Sequence, residues 1–359
     1  MFIHTRFSIV VVMLLLGAVV ALSQQQSSPT QPVPAQPVAT SPVKDTVFLD
    51  VVVTPKSGPP VSGLQQQDFT VLDNKVPVGI DSFQALRGRE TPIEVVLVID
   101  DVNTGVEHIA YERSEIDKFL RADGGHLTHP MALAFLTDSG IKVQESFSSD
   151  GNALSTALDQ QSVGLHSITR SSGIYGAAER FDISLKALHE LADREAARPG
   201  RKLIVWFSPG WPVLSGPAVE EQMTTKQRQQ IFENAVNLST LLRRGHITLY
   251  SIDPLGSADF AGRAFRWESF EKGVSKLNQA EYGDLALQVI AVQSGGLALN
   301  TGNDITAFLQ QCLADTQAYY ELSFAPPLDQ KRDEYHHLEV RVDKAGLVAR
   351  TRQGYYSLP

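Results

Sequence analysis

The sequence predicts an α/β fold: a doubly wound, mostly parallel sheet inserted into a β-sandwich that N- and C-terminal strands build together. Three observations predict it. Val95 to Ile99 is an unbroken apolar run, the mark of a strand covered on both faces, and it ends abruptly in Asp100, Asp101, Asn103 and Thr104. Between residues 91 and 317, strand-like and helix-like stretches alternate, as a parallel sheet requires. Residues 46–88 and 318–356 hold further strand candidates, and each set is too short to close a core alone.

Taken in order, residues 1–23 read as a secretory signal: His4 and Arg6 precede an apolar run from Phe7 to Leu22, and Ala21-Leu22-Ser23 offers a cleavage point. An uncleaved membrane anchor is the alternative. Residues 24–45 are a low-complexity tract of Gln, Ser, Pro, Thr, Ala and Val, expected as a flexible linker. Phe48 to Val53 is a strand candidate, closed by the turn residues from Pro55 to Pro60. Phe69 to Leu72 and Val76 to Phe83 flank Asp73-Asn74-Lys75 and are expected as a hairpin. After the Val95 to Ile99 strand, a helix is expected over Val106 to Arg121. The residues from His126 to His129, following Gly124-Gly125, are expected as loop.

Met131 to Leu136 and Ile141 to Glu145 flank Thr137-Asp138-Ser139-Gly140 and predict an antiparallel hairpin. Helices follow at Asn152 to Gln160 and Ala177 to Ala197, then an apolar strand at Leu203 to Phe207. One long helix is expected from Val219 to Arg243, a strand from His246 to Ile252, and a surface excursion from Gly256 to Lys276. Tyr282 to Gln293 reads as helix, Gly295-Gly296 as turn and Leu297 to Asn300 as a short strand. Asn303 or Asp304 caps a helix whose spacing of Ile305, Phe308, Leu309, Cys312 and Leu313 buries Cys312. The tail supplies strands at Tyr319 to Phe324, His337 to Val342 and Leu347 to Thr351, the obvious partners for the orphaned strands at the other end.

The 359 residues suffice for about two domains. With 40 acidic against 31 basic residues, the formal charge of −9 gives nucleic-acid binding no electrostatic support. The single cysteine excludes an internal disulfide, so an exported chain must rely on its core. There is no Gly-x-Ser-x-Gly elbow, phosphate loop or dinucleotide fingerprint.

A buried strand, an oxygen-rich loop and a helix place Asp100 to Thr104 at the carboxyl edge of the sheet, where open α/β folds bind ligands. This stretch resembles the first strand and metal-site loop of von Willebrand factor type A domains, whose pattern there is Asp-x-Ser-x-Ser. Asp100, Val102 and Thr104 hold the matching positions. From Val47 to Tyr356 the chain resembles the bacterial secreted VWFA-related domain proteins of acidobacterial type. The resemblance implies a metal site fed by three loops. Asp100 and Thr104 are the metal-ligand candidates of the first. The second falls in the stretch Thr169 to Gly176, which holds no unambiguous equivalent of the family's threonine. The third reads Phe207-Ser208-Pro209-Gly210, where Pro209 replaces the family's aspartate and Val102 likewise replaces a serine. The expected outcome is a degenerate site needing no cofactor, Mg²⁺ being the ion it would take if it took one.

The resemblance implies an exported, non-enzymatic module that binds a protein partner, with no nucleic acid and no membrane contact beyond an uncleaved anchor. Asp100, Asp101, Asn103, Thr104, Ser172, Ser208 and Trp211 are the candidate ligand-binding residues. The alternatives are an exported hydrolase using Asp100 or Asp101, and a structural subunit of the cell envelope. Trp206 and Trp211 either form an aromatic contact surface or pack beneath the helix that follows them.

Overall fold

The computed structural model describes residues 46–88, 91–161, 173–213, 217–255, 267–327 and 330–358. The expected signal and linker, Ser172, and residues 256–266 of the expected excursion lie outside these. The N-terminal segment forms β1 (Val47–Pro55), β2 (Phe69–Asp73), β3 (Val76–Val78) and β4 (Ser82–Arg87). The α/β region begins with β5 (Ile93–Asp100), α1 (Val106–Arg121), β6 (His126–Thr137), β7 (Gly140–Val143), β8 (Ser148–Asp150), α2 (Gly151–Gln160) and α3 (Gly173–Ala196). It continues with β9 (Arg201–Phe207), α4 (Pro217–Gln222), α5 (Thr225–Arg244), β10 (Ile247–Ile252), α6 (Leu287–Gln293), β11 (Ala298–Leu299) and α7 (Ile305–Ala314). The tail contributes β12 (Ala318–Phe324), β13 (Tyr335–Val342), β14 (Leu347–Arg350) and β15 (Gly354–Tyr356).

The central sheet has seven strands in the order β11-β10-β9-β5-β6-β7, with β8 also pairing β6. β5 is parallel to both neighbours, Val95 standing beside Met131 of β6 and Leu203 of β9. β7 and β8 run antiparallel to β6. The strand period of two sorts the core. Val96, Val98, Ile204 and Trp206 pack with α3, α5 and α6 on one face. Val95, Leu97, Ile99, Leu203, Val205 and Phe207 pack with α1, α2 and α7 on the other, in a cluster that includes Cys312. Both faces of β5 and β9 are therefore apolar, which is why these strands read as continuous runs. The turn into β11 depends on glycine: a Cβ on Gly296 would lie 1.8 Å from the Leu249 carbonyl oxygen.

Strands from the two ends of the chain make two four-stranded sheets, β14-β1-β12-β4 and β15-β13-β2-β3. β1 lies between tail strands, with Val47 opposite Phe324 of β12 and Val53 opposite Ala349 of β14. Leu338 of β13 stands opposite Asp73 of β2. Leu49, Val51, Phe69, Val71, Tyr320, Leu322, Val340 and Tyr355, drawn from both sheets, share one buried cluster. The Tyr320 hydroxyl accepts from the Leu64 amide (3.1 Å) and donates to the Val61 carbonyl (2.8 Å), fixing the long connection between β1 and β2.

Several elements differ from expectation. The second arm of the expected hairpin is split: β3 stays beside β2, whereas β4 crosses to β12, where Phe83 stacks on Tyr320 at 5.9 Å. The residues from His126 to His129 are strand rather than loop. β8 pairs with that stretch, and His129 Nε2 sits 2.8 Å from Thr316 Oγ1. The expected long helix is two helices, because Thr224 starts a new one: its Oγ1 accepts from the Gln227 amide (3.3 Å) while the Gln227 side chain accepts from the Thr224 amide (2.9 Å). The helix expected from Tyr282 begins as a 3₁₀ turn (Tyr282–Leu285) before α6. Asp304, not Asn303, caps α7, its carboxylate accepting from the Ala307 amide at 2.8 Å.

Deleting residues 318–358 removes both neighbours of β1 and the β13 partner of β2. Limited proteolysis of that truncated chain is expected to cleave between Thr46 and Leu86. The full chain resists there, and equal resistance in both would show that the N-terminal strands are held by the helices instead.

Candidate functional site

β5 delivers Asp100 to the carboxyl edge of the sheet, on the face shared with Val96 and Val98. Its carboxylate is fully buried. Oδ1 accepts from the Val102 amide (3.1 Å), the Asn103 amide (2.9 Å) and the Asn103 side chain (3.1 Å). Oδ2 accepts from Asn103 Nδ2 (2.9 Å) and from the indole Nε1 of Trp206 on β9 (3.1 Å). Asn103 Nδ2 also donates to Ser184 Oγ on α3 (2.9 Å). One carboxylate thereby joins its own loop, the neighbouring strand and a helix. Burial raises its pKa; the side chains of Asn103 and Trp206, the Asn103 amide and Ser208 pull against that rise.

Asp101 is buried beside α1, where Arg113 Nη2 approaches its Oδ2 at 3.2 Å. Arg113 also donates to the Gln161 carbonyl (2.7 Å) and lies 5.9 Å from the centre of the Phe135 ring. The third carboxyl, Glu112, is fully buried. Burial pushes it well above the ordinary glutamate value of 4.5, the charges of Asp101 and Asp100 push it further, and Arg113 and the Thr104 hydroxyl oppose them. The three carboxyls thus sit in different surroundings: Asp100 among N–H donors, Asp101 against a guanidinium, and Glu112 where burial and two neighbouring carboxylates favour its protonated form. Glu112 lies on a helix rather than in the oxygen-rich loop, yet the sequence carries a signal for it. It interrupts the apolar stripe Ile109, Ile116 and Leu120 of α1, a place where a charged residue needs a reason.

The structure brings Asp100, Asp101, Asn103, Thr104 and Ser208 together, all buried. Ser208 follows β9, its amide bonded to the Ile252 carbonyl (2.9 Å) and its hydroxyl accepting from the Gly210 amide (3.2 Å). Ser172 lies outside the described residues. Trp211 does not face solvent: only 5% exposed, it packs edge-on against Trp206 at 5.6 Å and against Phe181 of α3 at 6.4 Å. The tryptophans pack inward rather than forming a contact surface, and the helix that Trp211 meets through Phe181 is α3, which precedes them, rather than the one that follows.

These residues do not fit a bound Mg²⁺. The ion wants about six oxygens in near-octahedral array. Both oxygens of Asp100 are already turned to N–H donors, Val102 packs into the core, and Pro209 has no side-chain oxygen to offer.

No family model matches the chain, and no curated protein matches it. Solved structures similar to it include proximal thread matrix protein 1 from the mussel byssus (11% identity, TM-score 0.36, covering 62% of this chain and 47% of that one). They also include the SpRpn10 VWA domain (14%, TM-score 0.27, 63% and 97%) and the pilus adhesin SpaC from Lactobacillus rhamnosus GG in its open conformation (9%, TM-score 0.37, 81% and 48%). The match spans about half the length of the byssus and adhesin chains.

Two outcomes follow from the buried carboxyls. Asp100→Ala leaves the donors of Asn103 and Trp206 without an acceptor, and each such group costs about 1–3 kcal/mol. Urea unfolding is expected to show a loss of at least about 3 kcal/mol, and millimolar Mg²⁺ is expected to leave the Tm of the wild type unchanged. A Mg²⁺-dependent rise that vanishes in Asp100→Ala would contradict this. Glu112 is a group whose folded pKa is raised. The folded state then holds a proton the unfolded state has lost, so its contribution is full below pH 4.5 and falls as pH rises toward the folded pKa, by about 1.4 kcal/mol per pH unit. Glu112→Gln, which needs no proton, is expected to gain stability over wild type progressively above pH 4.5. A difference independent of pH would show that the carboxyl is ionised in the fold.

Proposed function

We propose that the chain is an exported, non-enzymatic binding module of the von Willebrand type A kind, engaging a protein partner at the carboxyl edge of the α/β sheet without a divalent metal. In this proposal residues 91–317 are the recognition domain, and residues 46–88 with 318–356 form a β-sandwich that carries it. One observation carries the proposal: apolar side chains stand out into solvent around the closed acidic site. α1 begins directly after the Asp100 loop, and Val106 in its first turn is 60% exposed. α3 runs back toward the start of β9, so its own start lies at the same edge, and there Ile174 is 57% and Tyr175 84% exposed. Apolar groups kept in water at one edge of a sheet are what a protein partner buries, and an exposed tyrosine supplies contact area at low entropic cost. The buried, internally bonded state of Asp100 and Asp101 supports binding over hydrolysis, because neither carboxylate is presented to a substrate.

The test is a pull-down from envelope extract with wild type, an Ile174→Ser/Tyr175→Ser variant, and Val348→Ser on the distant β14 as control, each with EDTA and with Mg²⁺. A protein retained by wild type and control, reduced at least tenfold by the double variant and indifferent to EDTA, is the expected result. Retention untouched by the double variant, or abolished by EDTA, would overturn the proposal.

A further inference from the structure

A second cluster lies away from the carboxyl edge, where the end-built sheets meet the α/β region. Asp50 of β1 and Glu321 of β12 stand directly opposite each other in the antiparallel register. Two like charges so placed destabilise a strand pair unless something neutralises them. His246, at the turn from α5 into β10, reaches between them. Its Nδ1 lies 3.6 Å from Asp50 Oδ1 and 3.8 Å from Glu321 Oε2, and one ligand atom from each of the three residues fits within 4.8 Å of the others.

These separations are those of ion pairs from a protonated His246 to both carboxylates, and they also match the spacing of ligands around a shared ion. Ligand atoms bound to a tetrahedral cation at about 2.1 Å stand roughly 3.4 Å apart. Independently, the Asp50 side chain is more than nine-tenths buried, and among the described residues nothing hydrogen-bonds its Oδ1, the atom turned toward His246. Two nearby cations donate their hydrogen bonds elsewhere, although the charges of Arg201 and of buried Arg352 still act on Asp50. Lys202 Nζ donates to the carbonyls of Arg198 and Gly200, both at 2.7 Å, and Arg201 Nη1 to that of Asp315 at 3.0 Å. His246 and Glu321 are partly exposed, leaving a path from solvent and room for water to complete the shell.

We propose that Asp50, His246 and Glu321 form a binding site for a divalent transition metal of the Zn²⁺ class, with imidazole nitrogen and two carboxylate oxygens as protein ligands. The set suits Zn²⁺, which takes nitrogen and oxygen donors in tetrahedral array, better than Mg²⁺ or Ca²⁺, which prefer oxygen alone. The ion would fasten β1 and β12 to the start of β10.

The experiment is equilibrium dialysis of the full chain against ZnCl₂ with metal analysis, alongside Tm measurements with and without the ion. Wild type is expected to hold one ion per chain and to gain several degrees in Tm at a hundredfold excess over Kd. His246→Ala and Glu321→Gln are each expected to lose both effects. Glu321→Gln is nearly isosteric and removes one of two opposed charges, so without metal its Tm should equal or exceed that of wild type; it serves as the folded control. Absence of binding to wild type, or binding undiminished in both variants, would overturn the site.

Discussion

An ionised carboxylate taken out of water must be met by donors, by a cation or by a proton, and Asp100 is met by donors. Its position is set by β5, the central strand of the sheet. The donors come from the loop that follows, from Trp206 on the adjacent strand and, through Asn103, from α3. Were the aspartate to change, the loop would lose its shape, Trp206 its acceptor and α3 its tie to the sheet top. The same arrangement explains why a loop built from hard oxygen ligands holds no vacancy for a hard cation. The indole and amide N–H groups occupy the directions from which an ion would bind, and Val102 and Pro209 supply no oxygen to replace them.

A comparable dependence runs through β1. Both of its neighbours, β12 and β14, belong to the last fifth of the chain, so its hydrogen bonds close a loop that contains the whole α/β region. Closing so long a loop costs entropy that grows only slowly with length. The offset comes from the cluster shared by β1, β2, β12, β13 and β15, with the Tyr320 hydroxyl holding the connection at Val61 and Leu64.

Much of this was legible in the sequence because burial on both faces leaves an uninterrupted apolar run. β5 and β9 announced themselves in that way, and the loop ending β5 declared its chemistry through Asp100, Asp101, Asn103 and Thr104. Elements whose limits depend on distant partners were not legible. β6 starts five residues before the expected strand because β8 pairs with it there, and β4 parts from β3 because its apolar side belongs to β12. The break before Thr224 was written in the Thr-x-x-Gln box but obscured by polar residues that suit a helix on either side. At the site, residue types were readable and directions were not. Trp211 turns inward and Glu112 enters from a helix, neither of which follows from loop spacing.

The way the two ends close has a mechanical consequence. A covalent and hydrogen-bonded route leads from β1 through its connection to β2, across to β13 and on to β15, without entering residues 93–317. Tension applied between the ends of the described chain, at Val47 and Tyr356, is therefore borne by the terminal sheets, while the Asp100 loop and the starts of α1 and α3 stay unloaded. A module pulled by its ends would keep the shape of its carboxyl edge until the β2–β13 ladder gave way.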